Sequence, residues 1–524
     1  MDAVTDAPEP LDELVAHARE THVVVIGGGI AGLVAAWECA KLGLAVTLLE
    51  ASDALGGTIG TTHVAGIELE TGVTCFSTRD GVVRRLIEEV DPDAVIARPR
   101  DDREWIAGLP KGGAQPLPRE SVLGIPANAW DESVRDIIGW GGAWRAYVDR
   151  LRPPFTIGSQ RSLGRLVRSR MGARVLQRLV EPLSIDRFGL TPEDVDVEIA
   201  APGLNPALTR TGSLGAAVAE LRLSAGDAPA IEGIAGGMPG LVGALNHRLI
   251  ERGVDVRTGT RAVAVATADG RWSVRLEPVD AEAAGADAAV AAGSSSALRH
   301  ELPPALETGE GESAGAALAA DAVIVATDET SARMLLGDLI GEPATDDAPR
   351  GIAREVVTLV VDAPGLDQAP RGVHVHAVPG THRAVGVAHD TARWEWLAQA
   401  AGPGRHVLRV AFGGPDAPPE TAHLDDADAA EQALAEASAL LGVPLGAHRL
   451  LGAHRARFTL APPASARGRL DASSAVRERI ERAPGVAAVG AWLSGSGLAQ
   501  VVSDAQKQAD RLRRTLIFGS ATRA

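Results

Sequence analysis

Residues 23–50 read VVVIGGGIAGLVAAWECAKLGLAVTLLE, which is a strand-like run, a glycine turn, a helical stretch and a second apolar run. Gly27, Gly29 and Gly32 have G-x-G-x-x-G spacing: the first permits a tight turn, the second lets the backbone approach a pyrophosphate, and the third lets helix and strand pack closely. The helix N-terminus offers free N–H groups to phosphate, and Glu50 can accept hydrogen bonds from ribose. The pattern favours a dinucleotide site over a ligand-free bend, without distinguishing NAD from FAD.

Length, charge and cysteine content limit the class of protein. A chain of 524 residues is too long for one core and predicts two or three domains. A net charge of −17 argues against general nucleic-acid binding. The two cysteines, Cys39 and Cys75, have neither disulfide nor metal-ligand spacing, which predicts a cytoplasmic protein without a metal. The acidic start and the lack of a long uncharged apolar stretch predict no signal peptide and no transmembrane segment, and at most peripheral membrane contact.

The hydrophobic patterns predict a discontinuous organisation. Helical periodicity dominates from residue 131 to about residue 222, after an extended or looped stretch at 110–130. Low-complexity sequence fills residues 281–320, and strand-like patterns after residue 336 predict a second sheet. Residues 485–516 repeat the opening order of apolar strand, glycine turn and helix. We therefore predict an N-terminal leader (1–20), one nucleotide-binding domain (21–80, 232–278, 321–335 and 480–524), a largely helical domain (81–231), an insertion (281–320) and a mixed-sheet substrate domain (336–479).

A second glycine-rich segment follows the first unit. The stretch LGGTIGTT (55–62) resembles the glycine extension of the monoamine oxidase-like flavoprotein superfamily, and ELETGVTCF (68–76) resembles the stretch after it. The resemblance implies FAD as the cofactor, with Gly56, Gly57, Thr58 and Gly72 beside it. Thr58 stands where many members have an arginine, which removes one cation from the cofactor region.

The C-terminal stretch GAWLSGSGLAQVV (490–502) resembles the last flavin-contacting turn of this superfamily. The resemblance implies that Gly490, Gly497, Leu498 and Ala499 contact the cofactor, and it adds Val263 to the same set. Half-sites at opposite ends of a chain are expected for a long cofactor such as FAD. The predicted fold class is α/β, with a Rossmann-like FAD-binding domain of the amine-oxidase type, an inserted helical domain and a mixed-sheet substrate domain.

Three further stretches, at 114–128, 179–204 and 236–260, resemble the bacterial porphyrinogen oxidases of haem synthesis, most nearly the actinobacterial coproporphyrinogen III oxidase branch. The resemblance implies six-electron oxidation of a porphyrinogen, with O₂ reoxidising the flavin and giving H₂O₂. No catalytic side chain is implied, because the flavin carries the chemistry. Coproporphyrinogen III is the expected substrate and protoporphyrinogen IX the alternative. Ferrochelatase is a candidate partner, since it would receive a reactive porphyrin.

A substrate with several propionates requires arginines at the pocket, because bidentate guanidinium groups suit carboxylates. The candidates are Arg187, Arg210, Arg455 and Arg457. The region 455–470 departs from the family, since its usual tryptophan, tyrosine and histidine are missing. Ala499 and Gln500 replace a proline and an acid in the final flavin turn.

Other functions share this fold. An amine oxidase commonly uses a lysine near the flavin, and this chain has no lysine between residues 112 and 506. A carotenoid desaturase would show a more apolar substrate region. The altered region 455–470 leaves a third alternative, a protein that binds flavin or porphyrin without turnover.

Overall fold

The computed structural model describes residues 11–110, 113–151, 161–225, 230–268, 270–278, 317–340, 351–415 and 418–518. Residues 1–10 of the predicted leader and 281–316 of the predicted insertion lie outside this part of the chain. The rest of the leader forms the helix Leu11–Glu20. The last four residues of the predicted insertion, Ala317–Ala320, form a strand.

Five parallel strands form the sheet that contains the opening motif. The central strand is almost free of polar side chains, and Val23, Val24 and Val25 are fully buried. Such continuous apolar runs are typical of parallel strands covered on both faces. In spatial order the strands are Asp255–Arg257, Ala45–Leu49, His22–Ile26, Ala322–Val325 and Val486–Ala488.

Different layers cover the two faces of this sheet. Helices Ile30–Ala40, Pro239–Glu251 and Leu498–Phe518 pack on one face. The other face packs against helix Glu329–Leu336 and a three-stranded antiparallel sheet. The strands of that smaller sheet are Thr260–Ala268, Arg271–Pro278 and Ala317–Ala320.

Helix Ile30–Ala40 is buried on every side, because it lies between the parallel sheet and helix Leu498–Phe518. Its one acidic residue, Glu38, is buried but forms ion pairs with Lys41 at 2.7 Å and Arg513 at 2.9 Å. A buried carboxylate needs such partners to offset its lost hydration. The two ends of the chain are thereby joined.

A seven-stranded mixed sheet forms the second large unit. Helix Asp426–Leu441 covers one face. Two of the strands come from residues 104–116, a stretch inside the predicted largely helical domain (81–231). Glu104–Leu109 joins the sheet by pairing with His374–Ala377, 270 positions away, and Gly113–Pro116 pairs with Glu104–Leu109. In spatial order the strands are Leu450–Leu460, Ile352–Asp362, Arg405–Phe412, Gly386–His389, His374–Ala377, Glu104–Leu109 and Gly113–Pro116.

A helical unit with its own apolar core follows these two strands. Several of its helices begin at capping residues: the Asp131 side chain accepts from Ser133 N at 3.0 Å, and Asp196 accepts from Glu198 N at 3.0 Å. Its helices are Glu132–Tyr147, Leu163–Arg170, Ala173–Val175, Leu176–Val180 (a π-helix), Glu181–Phe188, Val197–Ala200, Leu204–Thr211 and Leu214–Ala225.

The remaining short elements connect these units. Among the described residues, no helix combines the length and apolar character needed to cross a bilayer. The connecting strands are Thr61–Val64, Ile67–Glu70, Phe76–Ser77, Ile96–Ala97, Ser121–Val122, Ile125–Pro126 and Ile231–Ile234, and the connecting helices are Val82–Val90, Asp390–Arg393, Glu395–Ala401, Arg469–Glu481 and Ala491–Ser494.

Candidate functional site

Segments from across the chain meet at the carboxyl edge of the parallel sheet. Gly27 follows the central strand, Glu50 follows Ala45–Leu49, and Gly490 lies just beyond Val486–Ala488. Because neighbouring strands are parallel, their carboxyl ends share one edge, where open α/β sheets bind ligands. The two ends of the sequence therefore contribute to one site.

The first glycine turn has the geometry that its spacing predicts. Gly27 has a φ of +110°, and a Cβ there would lie 2.6 Å from the Ala326 carbonyl oxygen. A Cβ at Gly32 would lie 1.9 Å from the Gly27 carbonyl oxygen, so only glycine lets the helix begin this close to the strand. A Cβ at Gly29, by contrast, would have no atom of the described residues within 4 Å, apart from its own chain neighbours. Gly29 thus faces open space, as a backbone that receives a phosphate must.

The second glycine turn lies directly against the first. The Gly56 N–H donates to the Gly28 carbonyl oxygen at 2.9 Å, and a Cβ at Gly57 would lie 3.3 Å from the Gly29 Cα. Gly57 and Thr58 are both exposed. The two turns therefore form one continuous backbone surface, here called the glycine cradle (Gly27–Gly29 and Gly56–Thr58).

Gly72 extends this cradle towards the large sheet. A Cβ at Gly72 would lie 2.1 Å from the Thr58 carbonyl oxygen and 3.5 Å from Cε1 of Phe458. The Val73 N–H donates to the same Thr58 oxygen at 3.2 Å. The predicted cofactor segment and the last strand of the seven-stranded sheet therefore meet at Gly72.

Glu50 connects the cradle to a third segment. Its carboxylate accepts from Gly28 N at 2.6 Å and from Ser52 N at 2.8 Å, and its backbone carbonyl accepts from Thr260 N at 2.9 Å. The strand that starts at Thr260 has a bulge at Val263, where the pairing register passes from Ala262 to Ala264. Val263 is therefore the bulged residue of the strand that begins beside Glu50.

The C-terminal turn opens the longest helix. Gly490 has a φ of +125° and Gly495 a φ of +95°, and a Cβ at Gly495 would lie 2.5 Å from Ala464 N. The altered region 455–470 therefore lies against this turn. Gly497 precedes the helix Leu498–Phe518, and the Leu498 and Ala499 side chains pack in the core beneath it. A helix of 21 residues carries a positive dipole end at this point.

Two of the four candidate arginines share one carboxylate. Arg455 is buried, and its Nε and Nη2 atoms donate to Glu355 Oε2 at 3.0 and 2.8 Å. Its Nη1 atom donates to the Leu424 carbonyl oxygen at 2.8 Å. Arg457 donates to Glu355 Oε1 at 3.1 Å, with 46% of its side chain exposed.

The other two candidates lie in the helical unit. Arg187 forms an ion pair with Glu104 and is 40% exposed, while Arg210 pairs with Glu220 and is 60% exposed. The structure therefore brings Arg455 and Arg457 together at Glu355, whereas Arg187 and Arg210 lie on two different helices.

The sequence patterns did not predict the polar face of the seven-stranded sheet, which is the face opposite helix Asp426–Leu441. Arg409 lies there, buried, with its guanidinium 2.5 Å from Asp390 and 3.8 Å from Glu70. Burial raises the pKa of the Glu70 carboxyl to about 7, although Arg409 and the hydrogen bond from Met238 N at 2.6 Å lower it. A charged residue within the apolar strand RHVLRVAF was the available signal.

These features define a protein of the Rossmann-like nucleotide-binding class with an additional mixed-sheet domain, which confirms the predicted fold class. A family described as flavin containing amine oxidoreductase matches residues 30–512. The chain belongs to this family, and it therefore has a flavin-binding fold.

The curated relatives match over part of their length. A coproporphyrinogen III oxidase of Propionibacterium freudenreichii is 28% identical over 200 residues, which is 38% of this chain and 37% of the relative. That of Bacillus subtilis is 31% identical over 181 residues, 33% of this chain and 37% of the relative. The chloroplastic protoporphyrinogen oxidase 1 of Arabidopsis thaliana is 28% identical over 188 residues, 34% of this chain and 33% of the relative. The alignments thus span well under half of these relatives.

Solved structures match over nearly the whole chain. An Exiguobacterium protein, provisionally described as a protoporphyrinogen oxidase, has a TM-score of 0.74 and 22% identity, over 94% of this chain and 98% of its own. A reduced UDP-galactopyranose mutase has a TM-score of 0.65 and 12% identity, over 96% and 98%. At these identities the likeness concerns the fold alone.

Proposed function

We propose that the flavin of this protein is FAD, held across the glycine cradle. The open space at Gly29, the exposed Gly57 and Thr58, and the bulge at Val263 fit a long dinucleotide lying along the carboxyl edge of the sheet. Glu50 would bind the ribose at the far end, and Gly72, Gly490 and Gly497 would complete the surface. The single observation that carries this proposal is the contact between the two glycine turns, Gly28 O with Gly56 N at 2.9 Å.

The chain's own residues would bind and orient the cofactor. The helix N-terminus after Gly29 would offer its N–H groups to the pyrophosphate, and the one at Leu498 would favour negative charge on the flavin. When bound, a flavin supplies two-electron oxidation at its N5 atom and returns its electrons to an acceptor. No side chain in this proposal acts as a nucleophile, so the protein's contribution is position and electrostatics.

We further propose oxidation of a porphyrinogen to a porphyrin, with coproporphyrinogen III as the substrate and O₂ as the acceptor that becomes H₂O₂. The names of the aligned relatives support this reaction. Protoporphyrinogen IX is the second candidate, which the Arabidopsis relative supports. Ferrochelatase remains a proposed partner for the reactive product.

The arginines remain proposed contacts for the propionates. Arg187 and Arg457 are the stronger candidates, because each keeps a partly exposed guanidinium. Arg455 donates to protein oxygens through all its nitrogens, so it would act by holding Glu355 and, through it, Arg457. Arg210 would have to act from the surface of the helical unit.

An amine substrate fits the chain less well. Putrescine oxidase shares the fold with a TM-score of 0.55 and 14% identity, which carries no information on substrate. The lysine common near the flavin of such enzymes has no counterpart between residues 112 and 506.

The test uses the purified full chain loaded with FAD, in air. Coproporphyrinogen III and protoporphyrinogen IX are added in parallel, and porphyrin fluorescence and H₂O₂ are followed against protein-free solutions. We expect faster coproporphyrin formation than in the blank, with H₂O₂ released in step.

Two outcomes contradict the proposal in different ways. A flavin-loaded protein that leaves both products at the blank rate excludes the oxidase and favours a binding protein. A chain that cannot be loaded with FAD excludes the cofactor assignment itself.

A further inference from the structure

Two histidines and an aspartate converge on the polar face of the seven-stranded sheet. His374 and His376 alternate along strand His374–Ala377, so their side chains project from the same face. Asp186, on helix Glu181–Phe188, places Oδ2 2.5 Å from His374 Nε2 and 2.7 Å from His376 Nδ1. The intervening Val375 packs on the opposite face, against the core under helix Asp426–Leu441. The group Asp186, His374 and His376 is called here the histidine cluster.

The cluster is held by rigid elements. Strand His374–Ala377 lies inside the sheet, paired on both sides. Buried Arg354 donates to the carbonyl oxygens of Ile185 and Asp186 at 2.9 and 3.0 Å and so fixes the helix that carries Asp186. One donor atom from each cluster residue lies within 4.8 Å of the others. Small movements of these three side chains would bring all three atoms onto one ion.

The donor set selects the type of ion. Two imidazole nitrogens and one carboxylate oxygen are ligands of zinc and neighbouring divalent transition metals, whereas magnesium and calcium prefer oxygen alone. Zinc is known to bind three protein ligands and to leave a fourth coordination position for water or substrate. The His374 side chain is 19% exposed, so solvent can reach the fourth coordination position at this site.

Glu104 supplies a second, independent feature of a metal site. Its Oε2 atom lies 3.1 Å from His376 Nε2, the ring nitrogen that does not face Asp186. A metal-binding histidine ordinarily donates its other N–H to a carboxylate, which fixes the tautomer and orients the ring. His376 is therefore held so that Nδ1 is the nitrogen available to the ion.

Two guanidinium groups lie next to the cluster, and each has its own acceptors. Arg187 pairs with Glu104. Arg354 donates to backbone carbonyls, including that of Gly413 at 3.2 Å. Their positive charge weakens the attraction for a cation, so the site depends on its nitrogen ligands more than on net charge.

We propose that Asp186, His374 and His376 bind one divalent transition-metal ion, with zinc as the best match, and that Glu104 orients His376. This site lies outside the glycine cradle and does not rest on the proposed oxidase function.

The test measures zinc uptake by the untagged, flavin-loaded full chain. The protein is stripped with a chelator, dialysed against ZnCl₂, separated from free metal and analysed for zinc by mass spectrometry. We expect about one zinc per chain, the stoichiometry of a mononuclear site. Asp186→Asn and His374→Gln should reduce uptake to background. Glu104→Gln should weaken affinity about 10- to 100-fold, as loss of an outer carboxylate does.

His382→Gln is the matched control, because His382 also lies beside a carboxylate, Glu436 at 3.3 Å, but belongs to no cluster of three metal-ligand side chains within the described part of the chain. It should bind zinc like the unchanged chain. Flavin content and thermal unfolding show which variants remain folded. The proposal is wrong if the unchanged chain retains no more zinc than folded His374→Gln, or if His382→Gln loses zinc to the same extent. Neither outcome depends on whether the protein has oxidase activity.

Discussion

The glycine cradle and the polar face of the large sheet meet at Gly72 and Phe458 but are made of different groups. The cradle is mainly backbone: a Cβ at Gly27 or Gly56 would collide with another carbonyl oxygen, and a Cβ at Gly29 would project into open space. The polar face consists of buried charged side chains, such as Arg409 with Asp390 and Asp186 with His376. The cradle should therefore be sensitive to added methyl groups, and the polar face to lost charges and to pH.

The largest expected effect tests the close packing in the cradle. Gly32→Ala should abolish a folded, flavin-loaded protein, because its Cβ would lie 1.9 Å from the Gly27 carbonyl oxygen and neither backbone can move independently. Flavin content and thermal unfolding measure this.

Gly243→Ala is the control for Gly32→Ala. Gly243 lies inside helix Pro239–Glu251, and a methyl group added there would meet no side chain or other segment within 4 Å. This variant should gain up to about 1 kcal/mol from helix propensity. Equal behaviour of the two variants would refute the packing argument.

The second prediction contrasts two arginines that share Glu355. Arg455→Met should cost about 3–5 kcal/mol of unfolding free energy, because buried Glu355 loses its buried cation and keeps only half-exposed Arg457 and the Thr421 hydroxyl among the partners that the structure describes. Arg457→Gln should cost less than about 1 kcal/mol. Urea denaturation of both variants decides this, and similar losses would contradict the assignment of Arg455 as the buried partner. If Arg457 binds a propionate of the substrate, Arg457→Gln should also raise the KM for the porphyrinogen.

The third prediction concerns pH. The folded-state pKa of Glu70 is about 7, above its ordinary value of 4.5. Between pH 4.5 and pH 7 the folded chain therefore keeps the Glu70 proton that the unfolded chain has lost. Its contribution to the free energy of unfolding therefore falls as pH rises from 4.5 to 7, by about 3 kcal/mol in total. Glu70→Gln removes this dependence. Denaturation of both proteins at pH 5 and pH 8 should show the variant gaining relative stability at pH 8, and a constant difference would disprove the shift.

The smallest expected effect separates ligand space from protein packing. Gly29 has a φ of −68°, which alanine adopts freely, and its Cβ position is open. Gly29→Ala should leave the flavin-free protein within about 0.5 kcal/mol of its original stability. It should weaken FAD at least about 10-fold, or 1.4 kcal/mol, because the methyl group occupies the pyrophosphate's space. Unchanged FAD affinity would remove Gly29 from the proposed site.

Much of the cradle could be predicted, because its signals are local. Glycine spacing, the strand before it and the acid at Glu50 are read within about thirty residues, and the structure gives Gly27, Gly29 and Gly32 the geometry expected of them. The polar face could not be predicted in the same way. His374 and His376 are almost two hundred positions from Asp186, and only the sheet and the helix packed on it bring them together.

The sequence alone indicated the nucleotide-binding unit, because glycine positions and strand hydrophobicity restrict the backbone directly, and its resemblance to known flavoproteins indicated the flavin family. Tertiary structure decided which charges are buried and paired. Arg455 and Arg457 stand two residues apart and look equivalent in the chain, yet the sheet buries one beside Glu355 and leaves the other half-exposed. The physical reason is that a side chain's environment is set by strands from distant positions, whereas a glycine's role is set mainly by its own backbone and its immediate neighbours.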